Sequence, residues 1–315
     1  MRIFVAGATG VIGRRTVRQL VERGHDVVGL ARNEANERAI RALGGTPARA
    51  DLFDEDGLAK AAAGCEVMIR AATSIPTKLR TKPSDWAPND RIRTEGARAM
   101  TAAAARTRAR LYVHESIVWA AGSSDGAKYD EDAPLREHPD LRATQEGERI
   151  ALESGKRLGI DVAILRFGLF YAADATHTRI FGERLAAGGL PIIGDGRTVW
   201  SPIHADDAAG AFVAAAESPR SGRWHIVDDE PVSTATFFRA FADRLGAPPP
   251  GRVSAWLARL FIGRVAVEAL TTSFPTTNAR FRRDFGWKPR YATYREGLDR
   301  VIAEWRAEGF PPKRG

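Results

Sequence analysis

The chain has 315 residues, 44% hydrophobic and 27% charged, which is ordinary for a globular protein of one large α/β domain with an added lobe, or of two modest domains. Its single cysteine, Cys65, excludes an intrachain disulfide, suits a reducing compartment and reads as a packing residue in AAAGCEVMI. The net charge of +8 comes from arginines spread along the chain, with no dense basic run and no nucleic-acid module, so a basic surface with a site for an anionic cofactor is expected rather than a nucleic-acid partner.

In chain order, RIFVAG is a short apolar strand, and VIGRRTVRQLVERG has apolar residues at helical spacing and stops at Gly24. DVVGLAR is a strand, NEANERAIRALG a helix, TPARAD a strand, DEDGLAKAAAG a helix and CEVMIRAA a fourth strand. A Pro-containing loop is expected over 73–89, then the helix RTEGARAMTAAAARTR, the strand RLYVHES, an irregular stretch over 119–140, the helix within DLRATQEGERIA and the strand VAILRFG. Repeated β-α-β units with near-continuous apolar strands predict a doubly wound parallel sheet of Rossmann type, covered on both faces. After residue 171 the pattern loosens. The helices RIFGERLAAG and HADDAAGAFVAAAE and the strand WHIVDD suggest a dinucleotide-binding domain over 1–171 and, over 172–315, a smaller substrate lobe from which some segments return to the sheet. SAWLARLFIGRVAVEAL, over 254–270, reads as one amphipathic helix over a pocket or subunit contact, a membrane-surface helix being the lesser option. The terminal PPKRG is expected to fray. With no signal-type N-terminus and no run near the roughly 20 apolar residues of a span, the expectation is a cytoplasmic protein without a membrane partner.

VAGATGVIGRR places Gly7, Gly10 and Gly13 between the first strand and the first helix, with Thr9, Val11 and Ile12 among them. Gly7 permits a tight turn, Gly10 lets backbone approach a pyrophosphate, and Gly13 lets helix pack on strand. The helix N-terminus then supplies N–H donors for the phosphates. The second strand runs into Ala31, Arg32 and Asn33, and the first acid is Glu34. A carboxylate at 31 would repel a 2′-phosphate and Arg32 would bind one, which favours NADP(H) over NAD(H).

The glycine spacing G-x-x-G-x-x-G resembles that of the short-chain dehydrogenase/reductase superfamily, in its extended NAD-dependent epimerase/dehydratase branch. ARADLFD, VMIRAATS, ILRFGLFYA, WSPIHADDAAGAFVAA and TNARFRRDFGWKPRYATYREGL are similar to further family segments in the same order. The resemblance implies that Asp51 contacts adenine with Leu52 beside it, that Ala71 and Ala72 pass near the cofactor, and that Arg166 and Tyr171 match the R-x-x-x-x-Y-G-P stretch. It also implies a serine after the fifth strand, matched by Ser116, and a Tyr-x-x-x-Lys pair. That pair is missing: Leu141 and Gln145 stand at its positions, and none of the five tyrosines has lysine four residues on. Arg93 replaces the family's asparagine in the preceding helix.

Strand alternation puts Tyr112, His114 and Ser116 on one face, at the strand end where ligands bind in open α/β sheets. Ser116 is a candidate to bind a substrate carbonyl, and His114 or Tyr129 a candidate proton relay. Trp119, Trp200, Phe261 and Phe274 are candidate apolar lining. His204, Asp206 and Asp207 precede a helix, so an aspartate cap is the simpler account and no metal site is expected. The resulting expectation is an enzyme of atypical site, an NADPH-dependent reductase of a small hydrophobic carbonyl or conjugated substrate. A non-catalytic nucleotide-binding sensor and a non-redox isomerase or cyclase are the alternatives, with a homodimer left open.

Overall fold

The computed structural model describes residues 1–76, 81–123 and 126–310. Its first half alternates strand and helix: β1 (Arg2–Ala6), α1 (Val11–Glu22), β2 (Asp26–Ala31), α2 (Glu34–Ala42), β3 (Thr46–Arg49), α3 (Glu55–Ala61), β4 (Val67–Arg70), α4 (Pro83–Thr107), β5 (Leu111–Ile117), α5 (Arg142–Leu158) and β6 (Asp161–Phe167). The second half is more broken: β7 (Leu169–Tyr171), α6 (Thr176–Ala186), β8 (Ile192–Ile193), β9 (Val199–Trp200), β10 (Pro202–His204), α7 (Ala205–Glu217), β11 (Gly222–Ile226), β12 (Val232–Ser233), α8 (Thr234–Leu245), β13 (Arg252–Val253), α9 (Ala255–Ile262), α10 (Arg264–Thr271), α11 (Ala279–Phe285) and α12 (Tyr294–Ala307).

Seven strands form one sheet in the order β11-β6-β5-β4-β1-β2-β3, and every pair in it is parallel. Pairing of this kind needs crossover helices, which cover both faces. Because side chains alternate across a strand, Val5, Val27, Ile69 and Val113 pack against α1 and α7, whereas Phe4, Val28, Met68 and Tyr112 pack against α3, α4 and α5. Pro47 sits on β3, an edge strand, where a missing N–H leaves no interior ladder position unpaired. The chain moves outward in opposite directions from β1, through β2 on one side and β4 on the other. That reversal opens a crevice at the C-terminal ends of β1 and β4.

A separate aromatic core holds the lobe. Trp200, Phe237, Phe241, Tyr294, Leu298 and Trp305 pack together from β9, α8 and α12. Helices α9–α12 extend beyond the sheet, yet Phe281 of α11 packs into the sheet's own core, and β11 pairs with β6 in register from Gly222↔Ala163 to Ile226↔Phe167. The lobe is thus interleaved with the sheet rather than cut off at 171.

Two sequence expectations change. The loop expected over 73–89 ends sooner, because α4 starts at Pro83, a first-turn position where no helical partner for the N–H exists; residues 77–80 of that loop lie outside the described residues. The single helix expected over 254–270 is two, divided at Gly263, whose φ of +83° and ψ of 166° only glycine adopts readily. The terminal residues 311–315 lie outside the described residues. Cys65 is buried as expected, and burial pushes its thiol up to about 11. No helix among the described residues is long and apolar enough to cross a membrane.

Candidate functional site

The loop between β1 and α1 is built for backbone proximity. Gly7 has φ +87°, and a Cβ there would lie 2.6 Å from the Ala72 nitrogen at the end of β4. At Gly13 a Cβ would sit 1.9 Å from the Gly7 carbonyl oxygen, so α1 reaches its strand only with glycine in that place. Gly10 is different: a Cβ would meet only the Gly7 oxygen, at 3.4 Å, and would otherwise project into open space. Packing within the fold does not require glycine there. Gly10 also caps α1 without a side-chain hydrogen bond, and no acid occupies the helix's first turn, so its amides keep their positive potential. Thr9 accepts a hydrogen bond from Asn36 Nδ2 at 3.2 Å, which ties the loop to α2. Val11 and Ile12 remain partly exposed at the mouth of the crevice.

At the tip of β2, Ala31 is buried and Arg32 is exposed, with no ion pair to any described residue. Asn33 is occupied in capping α2, accepting from the Asn36 amide at 2.9 Å, and Glu34 faces Arg38 and Arg49, each at 3.9 Å. An exposed guanidinium without an ion pair to any described residue therefore stands at the tip of β2. Asp51 is exposed and accepts from the Phe53 amide at 2.9 Å, which shapes the turn that carries Leu52. The Ala71 amide extends the sheet ladder to the Ala6 carbonyl at 2.9 Å, and the Ala72 carbonyl accepts from Arg70 Nη1 at 2.8 Å. These residues line the crevice and fit a dinucleotide: the open Gly10 face, the uncapped helix and the unpaired arginine are otherwise without a use.

The polar end of β5 is tied down. Ser116 is fully buried and donates to Glu148 Oε1 at 2.5 Å, while Arg166 grips the same carboxylate with Nε and Nη2 at 2.8 and 2.7 Å. Arg166 thus anchors α5 to β6 through this carboxylate. His114 is also fully buried. Burial, with Arg70 and Arg93 nearby, holds its pKa well below the ordinary imidazole value, so the ring is neutral. Arg70 Nη2 lies 3.2 Å from Nε2, and a guanidinium only donates; the ring proton is therefore on Nδ1, facing the Tyr112 oxygen 3.0 Å away. With both nitrogens committed, His114 has no free atom for a proton relay. Tyr129 donates its hydroxyl to the Val118 carbonyl at 3.0 Å, and burial raises its pKa far above the phenol value, so it too is structural here.

Leu141 is buried in the turn that precedes α5. Gln145 donates its amide to the carbonyls of Ala120 and Arg136 at 2.9 and 2.8 Å. Beside them lies a buried charge cluster that motif reading passed over: Glu115 pairs with Arg70 at 3.3 Å and Arg93 at 3.6 Å. A charged residue closing VMIR, a strand otherwise fully apolar, was its readable signal. Of the four aromatics proposed as lining, Trp119 and Phe274 pair at 5.1 Å between ring centroids, Trp200 is lobe core, and Phe261 projects outward, 67% exposed.

The His204–Asp207 run also departs from expectation. His204, not an aspartate, caps α7, accepting from the Asp206 amide at 3.3 Å. Asp206 pairs with Arg15 at 2.6 Å, and Asp207 accepts from the amides of Arg290 and Tyr291 at 2.6 and 3.0 Å.

Residues 3–227 match the model of the NAD dependent epimerase/dehydratase family. The chain is 38% identical over 314 residues to a Streptomyces 3-diazoavenalumate denitrifying reductase, covering 95% of this chain and all of that one. It is 27% identical to a ketoreductase of Stigmatella aurantiaca acting on a farnesyl-dihydroquinoline oxide, with 95% of both chains covered. Among solved structures, human epimerase family protein SDR39U1 with NADPH aligns with a TM-score of 0.81 at 20% identity, over 96% of this chain and 99% of that one. A Thermotoga maritima UDP-glucose 4-epimerase aligns with a TM-score of 0.80 at 18% identity, over 98% and 99%. The crevice, the glycine loop and the matched residues together place this chain in the NAD dependent epimerase/dehydratase family, among enzymes of oxidoreductase and epimerase type.

Proposed function

We propose that the protein is an NADPH-dependent reductase whose acceptor takes up hydride without a proton from the enzyme. One observation supports the reading: the polar side chains at and after the end of β5 are already hydrogen-bonded within the protein, Ser116 to Glu148, His114 to Arg70 and Tyr112, and Tyr129, in the stretch that follows, to Val118, and the sequence has no tyrosine with a lysine four residues on. A reductase of simple ketones needs an acid beside the developing alkoxide. An activated electrophile does not.

When bound, the dinucleotide supplies a hydride at the nicotinamide. The Gly7–Gly13 loop and the α1 N-terminus would hold its pyrophosphate, and Arg32 its 2′-phosphate. NADPH over NADH is supported by the Ala31–Arg32 pair and by the NADPH in the human relative's structure, although dehydratase structures of similar fold carry NAD. The relative most informative about the acceptor is the Streptomyces denitrifying reductase, which suggests an aromatic diazo substrate. Hydride added to the terminal nitrogen of an arenediazonium gives a neutral diazene. This loses N2 as its N–H hydrogen passes to the ring carbon, so the charges cancel and no external acid is consumed.

The test is NADPH oxidation by the purified protein with an arenediazonium and with a simple aliphatic ketone, using deuterium at the transferable position of the nicotinamide. Oxidation with the diazonium, N2 release and deuterium in the arene are expected, with no turnover of the ketone. Ketone reduction at a comparable rate, or diazonium loss without deuterium transfer, contradicts the proposal.

A further inference from the structure

We infer that Arg136 is the anion-recognition residue of the substrate pocket, and that the substrate is an aromatic carboxylate whose ring lies against Trp119. The inference rests on the reductase reading above and specifies what that site accepts.

The chain leaving β5 at its site end forms a clip with the stretch that returns toward α5. Gly122 donates its amide to the Pro134 carbonyl and Arg136 its amide to the Ala120 carbonyl, both at 3.0 Å, about a bridge between Ala121 and Leu135. Gln145 then clamps both strands of the clip through the Ala120 and Arg136 carbonyls. A position that would otherwise hold a catalytic lysine here fixes backbone.

What the clip presents is a cation. The half-buried Arg136 side chain donates Nη2 to the Ser273 carbonyl at 2.6 Å and lies flat on Gly122, where any Cβ would come within 2.4 Å of Nε. The guanidinium groups of Arg70, Arg93 and Arg166, all buried, and the partly buried Arg280 each have a carboxylate, at 3.3, 3.6, 2.7 and 3.3 Å. Arg136 has none among the described residues. A partly desolvated guanidinium pinned by one carbonyl keeps most of its donor fork for an external acceptor, and that fork matches a carboxylate.

The same two segments carry an aromatic surface. Trp119 precedes the clipped Ala120 and is only partly buried; Phe274 follows Ser273, is buried in the lobe core and backs the Trp119 ring at 5.1 Å with a tilt of 42°. A flat, π-rich body with an anionic tail satisfies both features at once. An aliphatic ketone satisfies neither.

The test uses the full-length protein loaded with NADPH, and two unreactive probes, 4-hydroxycinnamate and its methyl ester, titrated by calorimetry. Wild type should bind the acid at least about tenfold more tightly than the ester, the scale of a hydrogen bond to a charged group. Arg136→Gln should bring the acid to the level of the ester while leaving ester and NADPH affinities in place, and Arg136→Lys should restore part of the preference. Equal affinity for both probes, no binding of either, or a preference that survives Arg136→Gln overturns the inference. The diazonium assay separates it from the reading beneath it. Carboxylate preference without any hydride transfer leaves the pocket assignment standing and removes the reaction. Hydride transfer to a diazonium without regard to its carboxylate does the reverse.

Discussion

At the scale of single residues, the molecule uses side chains of one kind for opposite ends according to their neighbours. Arg166 and Arg32 are both arginines that follow or close a sheet strand, but Arg166 is buried against Glu148 and Arg32 stands in solvent at the tip of β2 without an ion pair to any described residue. A buried guanidinium must be paired or it destabilises the fold, whereas an exposed one is free to bind a ligand. Arg32→Ala should therefore weaken NADPH binding about tenfold and leave NADH binding unchanged, by isothermal titration of each cofactor. Equal effects on the two cofactors would remove Arg32 from the 2′-phosphate. Local chain order made the exposed position of Arg32 legible, because it directly follows a strand whose end is set by its own apolar run. The burial of Arg166 was not, because its partner Glu148 lies 18 residues away on another element.

At the scale of elements, the site depends on how closely α4 and α5 approach. Gly147 on α5 stands where a Cβ would come within 2.4 Å of the Arg93 carbonyl on α4. Gly147→Ala should force the helices apart at a cost of about 1–3 kcal/mol. The change should register as a lower thermal midpoint together with weaker binding in the pocket, because α5 also carries Gln145 and Glu148. An unchanged midpoint would mean the crossing is looser than it looks. The helices were largely legible from apolar spacing and caps, apart from the start of α4 and the break at Gly263. Their separation was not, since it depends on which glycine faces which carbonyl.

At the scale of the whole molecule, buried histidines couple stability to pH. Burial depresses the pKa of His204 to about 4 and of His225 to about 3, and holds His114 well below its ordinary value. Unfolding returns each to near 6.5, so the unfolded chain binds more protons below that value. Their contribution is complete above pH 6.5 and is lost as the pH falls toward the folded values. Asp207 acts in the opposite sense. Burial raises its pKa to about 6, so its share is present in full below its unfolded value near 3.8 and declines as the pH rises through 6. Asp228 and Glu131, raised by burial like Asp207, offset the histidines, so the readable quantity is a difference: between pH 7 and pH 5, chemical denaturation should show His225→Gln losing less stability, or gaining more, than wild type. An identical slope in that variant would show that His225 is not held neutral.

The dinucleotide crevice was determined by the sequence alone because its parts are contiguous: Gly7, Gly10 and Gly13 act within one turn, and Ala31 and Arg32 follow one strand. The parallel sheet was likewise readable, since apolar runs and intervening helices dictate it locally. Only the tertiary structure decided which polar groups are free. Ser116 finds Glu148 at a separation of 32 residues, Arg70 finds His114 at 44, and Arg136 finds Ser273 at 137. Such pairings follow from strand order and helix approach, which bring distant segments together after local structure has formed. They hold Ser116 and His114 in buried hydrogen bonds, and leave Arg136, which belongs to no motif, with the Ser273 carbonyl as its side-chain partner.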